Sequence, residues 1–140
     1  MLKIDIINDA YSMGLQSGVT ANPSPNEVQL ALNRLEGMAG EWFQRGIAVN
    51  YNFEAAPDVQ SEAGIAPWMM FAFSSNLMMR LSADFGVEPS ASLSMQAVQS
   101  FSTLSSAAFN VQETFYSARM PIGSGNRPFN RYYRHYGEPN

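Results

Sequence analysis

The sequence predicts an all-α fold: four helices, a short β element and an extended C-terminal arm. Apolar residues recur at helical spacing in four stretches before residue 119. Period-two alternation marks Ile47, Val49, Tyr51 and Phe53. From Arg119 onward, prolines, glycines, arginines and aromatics replace the helical pattern. The expected division is a helical domain over residues 1–118 and an arm over residues 119–140.

The first helix is expected from about Lys3 to Gln16, with Ile6, Ile7, Ala10, Tyr11 and Gly14 on one stripe. Asp5 sits in its first turn, where the helix dipole favours an anion, and Gly18 suits a stop. The turn Ala21-Asn22-Pro23-Ser24-Pro25 leads into the second helix. Ser24 suits the N-cap, Pro25 suits N1, and Glu27 completes a capping box. Val28, Leu32, Leu35, Met38, Ala39 and Trp42 form the apolar stripe, and Gly46 ends the helix. The run Ile47 to Phe53 then reads as an extended segment that pairs with another short segment or with a neighbouring copy. Glu54 to Gly64, with Pro57 and Asp58, reads as a loop.

A third helix is expected over Ile65 to Phe85, with Pro67 near its start and Gly86 as its stop. Trp68, Met69, Met70, Phe71, Phe73, Leu77, Met78 and Met79 cover most of its circumference. A helix that is apolar all round is buried all round, which makes this the central helix of the core, a subunit interface, or both. Trp42, Phe43, Trp68, Met69, Phe71 and Phe73 are accordingly expected to fill the core or an oligomer contact. Pro89 and Ser90 start a fourth helix whose stripe is Leu93, Val98, Phe101, Leu104, Ala108, Val111 and Phe115. Its opposite face carries Ser94, Ser100, Ser102, Ser105 and Ser106. Such a face either admits another element closely or is simply solvated.

Charge is sparse and uneven. Charged residues make up 14% of the 140 residues, against about 25% in an average domain. Residues 1–118 hold four cations against eleven acids, a net −7, and residues 119–140 hold four arginines against Glu138, a net +3. An acidic body argues against wrapping a nucleic-acid duplex, which takes several phosphate contacts. The absence of cysteine removes disulfides, thiolate metal sites and thiol nucleophiles. One histidine cannot build a His-rich metal centre. No metal or cofactor is expected. Asp5 and Asp9 interrupt any signal-peptide core. The longest apolar run, Ile65 to Phe73, is nine residues, about half of a membrane span. The expectation is a protein made in a cytoplasm, without a membrane partner.

Catalytic constellations are poor. Gly123-Ser124-Gly125 lacks the lysine and preceding strand of a phosphate loop and reads as a turning connector. His135 has nothing near it in sequence to orient it as a base. Glu36 and Glu41 do not converge on one helix face, which leaves Glu41 and Glu54 as the pair that could meet across the extended segment. No catalytic residue is assigned. The arm is the sharper feature. Phe129-Asn130-Arg131-Tyr132-Tyr133-Arg134-His135-Tyr136 interleaves arginine with aromatics, the residues enriched where proteins bind proteins. The same residues could stack on single-stranded nucleic acid.

The segment Leu35-Glu36-Gly37-Met38-Ala39-Gly40-Glu41-Trp42-Phe43-Gln44-Arg45-Gly46-Ile47, with the aromatic run to Phe53, resembles the head-to-tail adaptor family of short-tailed bacteriophages. These are also called tail accessory factors or packaged-DNA stabilisation proteins. The string Ser117-Ala118-Arg119-Met120-Pro121-Ile122-Gly123-Ser124-Gly125-Asn126 is closer still, and His135-Tyr136-Gly137-Glu138 is similar to the family's aromatic end. The resemblance implies a four-helix adaptor domain in a homo-oligomeric ring, typically of twelve copies, beneath the portal protein of a DNA-filled capsid. It implies a virion location at the phage neck and a downstream tail or nozzle protein as a second partner. DNA would pass through the channel without sequence-specific binding. Carried over by motif, Arg119 to Asn126 and then Phe129, Arg131, Tyr132, Tyr133, Arg134, His135 and Tyr136 would form the portal-binding arm. A peptidoglycan hydrolase acting during phage entry is the alternative that the family suggests.

Overall fold

Local sequence signals set the helix boundaries. The computed structural model describes residues 1–14, 23–47 and 49–108, all within one unit, Met1–Asn110. Its helices are α1 (Lys3–Gly14), α2 (Pro25–Gln44), α3 (Met70–Phe85) and α4 (Ala91–Ala108), with a 3-10 turn at Pro67–Met69. Asp5 caps α1 by accepting from the Leu2 backbone N–H at 2.9 Å. Ser24 and Glu27 form the expected capping box, with Ser24 N–H donating to Glu27 Oε2 at 2.6 Å and Glu27 N–H to Ser24 Oγ at 3.4 Å. Gly46 (φ 80°) follows the end of α2, and Gly86 (φ 64°) closes α3 in the left-handed conformation that glycine accepts without strain. The third helical stretch starts at Pro67 rather than Ile65. A residue before proline is pushed out of the helical region, and Ala66 is extended with ψ 150°.

α3 is the centre of the fold. Its side chains meet those of α1, α2 and α4, and Phe73, Leu77, Met78 and Leu81 are fully buried. Arg34 and Glu41 of α2 pair with Asp84 and Arg80 of α3, in reverse order along the two helices, so α2 and α3 run antiparallel. Ser75, Asn76 and Met79 of α3 likewise meet Ser100, Ala97 and Ser94 of α4, again in reverse order. The α1 stripe of Ile6, Ile7, Ala10 and Tyr11 closes the core from another side. Buried Ser74, Ser75 and Ser82 donate to the carbonyls of Met70, Phe71 and Met78, so their hydroxyls carry no desolvation penalty.

Three expectations are corrected. First, no strand forms among the described residues. Ile47, Val49 and Tyr51 do point inward, but Asn50 has φ 51°, a left-handed turn that breaks an extended run. The segment is instead held by Asn52 N–H donating to the Ala63 carbonyl at 3.0 Å, and an isolated antiparallel bridge joins Leu2 to Glu62. Second, one position of the α4 stripe differs. Leu93 and Leu104 are buried as expected, but Val98 is 70% exposed and Ala97 is buried in its place, where the Asn76 side chain of α3 reaches the Ala97 carbonyl. Third, α3 is not covered all round. Phe71 and the preceding Trp68 are 46% and 52% exposed. The serine-rich face of α4 takes both of its expected roles. Ser94 and Ser100 meet α3, while Ser102 and Ser106 are exposed. Among the described residues, no helix is long and apolar enough to cross a membrane. Gln16, Gly18, Val111, Phe115 and the whole arm expected over residues 119–140 lie outside the described residues.

Candidate functional site

Lys3 opens α1 yet is fully buried. Its ammonium donates to Glu36 Oε1 at 2.7 Å and Glu54 Oε2 at 3.4 Å, and lies 5.2 Å from the centre of the Tyr51 ring. Tyr51 donates its hydroxyl to the same Glu36 oxygen at 2.9 Å. Burial, then the Glu36 hydrogen bond and charge, push the Tyr51 hydroxyl far above its ordinary range. This cluster joins α1, α2 and the 49–54 segment through charge-assisted hydrogen bonds. It is a clamp: its charges are satisfied by one another.

The carboxylates weighed for catalysis are held in ion pairs. Arg80 donates to both oxygens of Glu41, at 3.0 and 2.6 Å, and holds that carboxyl below the ordinary range. The Ser61 hydrogen bond, followed by Lys3, lowers Glu54 in the same way. A general acid needs a raised value near the working pH, and both carboxyls are shifted the other way. Among the described residues, no three acidic or histidine side chains gather around a point that could hold a metal.

What the unit does present is exposed aromatic surface. Six rings form a chain of contacts. Phe43 meets Phe53 at 5.9 Å between centroids, and Phe53 meets Tyr51 at 5.1 Å. Tyr51 stacks on Phe73 at 5.9 Å, Phe73 meets Trp42 at 4.8 Å, and Trp42 meets Phe101 at 5.3 Å. The middle three rings are core. At the first end, Phe43 and Phe53 are 60% and 49% exposed. Beside this edge α2 carries Gly40, with Gly37 farther round the helix, and a Cβ on either meets no atom within 4 Å. Each glycine costs the helix about 0.5–1 kcal/mol relative to alanine, with no packing reason among the described residues.

A second aromatic surface is concave. Trp68, Phe71 and Ala72 face Gln96, Gln99, Ser100, Thr103 and Leu104 of α4 across a groove of about 270 Å³. Among the described residues, no charged side chain lines it. Ser100, which lines the groove, contacts Ser75 of α3 at 2.9 Å between hydroxyl oxygens. Large rings stand on one wall and long amides on the other.

Of the six residues expected in the core or an oligomer contact, Trp42, Met69 and Phe73 are core, and Phe43, Trp68 and Phe71 are exposed. The arm residues Arg119 to Asn126, Phe129, Arg131, Tyr132, Tyr133, Arg134, His135 and Tyr136 lie outside the described residues. Two features have little signal in the sequence. Lys3 pairs with acids 33 and 51 residues away, which no local pattern marks. Phe53 is legible as part of the aromatic run, but its outward position depends on the turn at Asn50.

Residues 5–138 match the model of a family described as the P22 tail accessory factor.

Proposed function

Because this chain belongs to the P22 tail accessory factor family, and is thus a structural component of a phage virion, we propose that it is a ring-forming head-to-tail adaptor. It binds below the portal protein, extends the DNA channel, helps retain the packaged genome and presents a platform to a downstream tail protein. It assembles in the host cytoplasm and resides at the neck of the particle. The observation that carries this reading is the span of the family match, which covers both the helical unit and the arm sequence.

The arm is residues 119–140, and its mechanism is assembly. Ordering an arm on the portal costs conformational entropy. Burial of Phe129, Tyr132, Tyr133 and Tyr136, with pairing of Arg127, Arg131 and Arg134 to acids of the portal or a neighbour, offsets that cost. The charge split supports this division of labour. The net −7 body repels DNA in a channel and lets it slide, while the positive arm docks. Truncation after Ala118 is expected to leave a folded unit that no longer joins the portal, read by co-sedimentation with portal rings. Normal incorporation of the truncated chain into particles would sink the arm assignment.

A further inference from the structure

A cyclic ring needs two different, mutually complementary patches on each subunit, because its interfaces are head-to-tail. Besides Met95 and Val98 on α4, the described unit exposes two aromatic patches, an edge and a groove. The edge is Phe43 and Phe53, 60% and 49% exposed, with their rings in contact at 5.9 Å. The concave one is the groove beside Trp68 and Phe71, about 270 Å³. They are distinct places: neither Phe43 nor Phe53 lines the groove, and the rings of Tyr51, Phe73 and Trp42 stand between Phe53 and Phe101 of α4.

We propose that the Phe43–Phe53 edge of one subunit seats in the Trp68–Phe71 groove of a second copy of this chain. The inference rests on the ring reading above and names the lateral contact within it. Size fits. A cavity of about 150 Å³ holds a benzene ring, so this groove takes a phenylalanine ring with space for its approach. Charge is compatible with this occupant. No carboxylate stands among the described residues of the lining, and a phenylalanine edge brings no charge to desolvate. Gly40 completes the match. Three residues before Phe43 and on the same side of α2, it leaves that surface bare, so the wall of the neighbouring groove can approach the α2 backbone. That gives Gly40 the packing reason that it lacks among the described residues.

The contact is small. Phe43 and Phe53 together expose about one ring's area, or roughly 160–270 Å² on the scale of a buried aromatic. A stable pair buries about 800 Å² per partner. The lateral contact therefore does not hold subunits together in dilute solution. It closes the ring once copies stand side by side, where effective concentration is high.

The absence of native cysteine makes disulfide trapping clean. Phe43→Cys and Gln99→Cys proteins, mixed in equal amounts at high concentration with a mild oxidant, should give the mixed dimer. The mixed product should exceed either homodimer and the product of an Asn26→Cys and Gln99→Cys pair. Trapping no better than that control overturns the proposal. So does a dominant Phe43→Cys homodimer, which would mean a two-fold contact. Trapping of Tyr133→Cys by Gln99→Cys at the expense of Phe43→Cys would assign the groove to the arm and also overturn it. Gly40→Ala separates packing in the free subunit from packing between subunits. It should raise the thermal midpoint of the free protein and reduce trapping of Phe43→Cys by Gln99→Cys when placed in the Phe43→Cys chain. Unchanged trapping counts against the α2 surface. Copy number in particles distinguishes the two levels. A ring that forms without the disulfide between the Phe43→Cys and Gln99→Cys chains rejects this interface alone, whereas single copies per particle reject the ring reading.

Discussion

Gly64 gives the sharpest test of how the aromatic edge is held. Its φ is +74°, and a Cβ placed on it would lie 2.6 Å from the Asn50 carbonyl oxygen and 3.4 Å from the Asn52 nitrogen. Both neighbours are backbone and cannot swing away as a side chain end could. Gly64→Ala therefore incurs two costs. The left-handed conformation costs an L-residue about 1–2 kcal/mol, and forcing apart two packed backbone segments costs about 1–3 kcal/mol more. Gly86→Ala is the matched control, since Gly86 has φ +64° and an added Cβ there meets nothing within 4 Å. It incurs only the first cost. Urea denaturation followed by tryptophan fluorescence should show a lower midpoint for both variants at unchanged m value. The Gly64 variant should lose about 1–3 kcal/mol more than the Gly86 variant. Near-ultraviolet circular dichroism should change for Gly64→Ala alone, because the segment that it displaces carries Tyr51 and Phe53. Equal losses in the two variants would refute the close approach of residues 50–52 to Gly64.

Lys3→Met removes the cation facing Glu36, and stranding a buried carboxylate costs about 3 kcal/mol. Adding Glu36→Gln, which keeps an acceptor for Tyr51, should recover part of the loss in thermal unfolding; no recovery would argue against the ion cluster. Glu27, Glu41 and Glu54 are all held below their ordinary value of 4.5. Their contribution is present above that pH and lost as pH falls through the lowered folded values, so thermal midpoints should drop on the acid side of pH 4.5. Tyr11 behaves in the opposite sense. Burial, then the Glu27 charge, raises it from 10.0 to about 12, so its contribution is present below pH 10 and lost as pH rises towards the folded value. Tyr11→Phe should flatten that alkaline slope and lose the bond to the Glu27 carbonyl, 3.1 Å, at about 1 kcal/mol. In a peptidoglycan zymogram the purified chain should leave no clearing. A clearing abolished by Glu41→Gln or Glu54→Gln would restore the hydrolase alternative.

What is legible in the sequence is what local physics decides. Ser24 and Glu27 meet within one turn of helix, Gly86 ends α3 by its own backbone freedom, and the α1 stripe follows from helical spacing alone. The α4 stripe is legible at Leu93 and Leu104 but not between them. Large apolar residues are the usual mark of a buried face, but there α4 approaches α3 through Ala97 and Ser100, leaving Met95 and Val98 63% and 70% exposed. Phe43, Trp68 and Phe71 are legible as apolar and not as exposed, because burial against a neighbouring molecule and burial in a core favour the same residue types. The clamp at Lys3 is illegible for a different reason. A lysine near an N-terminus is ordinarily a surface charge, and only the folded path of the chain brings Glu36 and Glu54 to it.

That clamp connects stability to assembly. Glu54 follows Phe53 directly, and Tyr51 precedes it by two residues. Lys3 holds Glu54, and Glu36 holds the Tyr51 hydroxyl. The proposed knob is thus tied on both sides to one ion cluster built on the buried Lys3, which restricts its ring before any partner arrives. A preorganised edge loses little conformational freedom on docking, which matters most for a contact too small to tolerate that loss. Loosening the clamp should therefore weaken lateral trapping more than it alters the groove. Lys3→Met in the Phe43→Cys chain should reduce the mixed disulfide with Gln99→Cys. The same change in the Gln99→Cys chain should leave the yield close to that of the unmodified pair, at a temperature where both remain folded. An equal reduction from either side would mean that the ion cluster supports the whole unit and not the knob in particular.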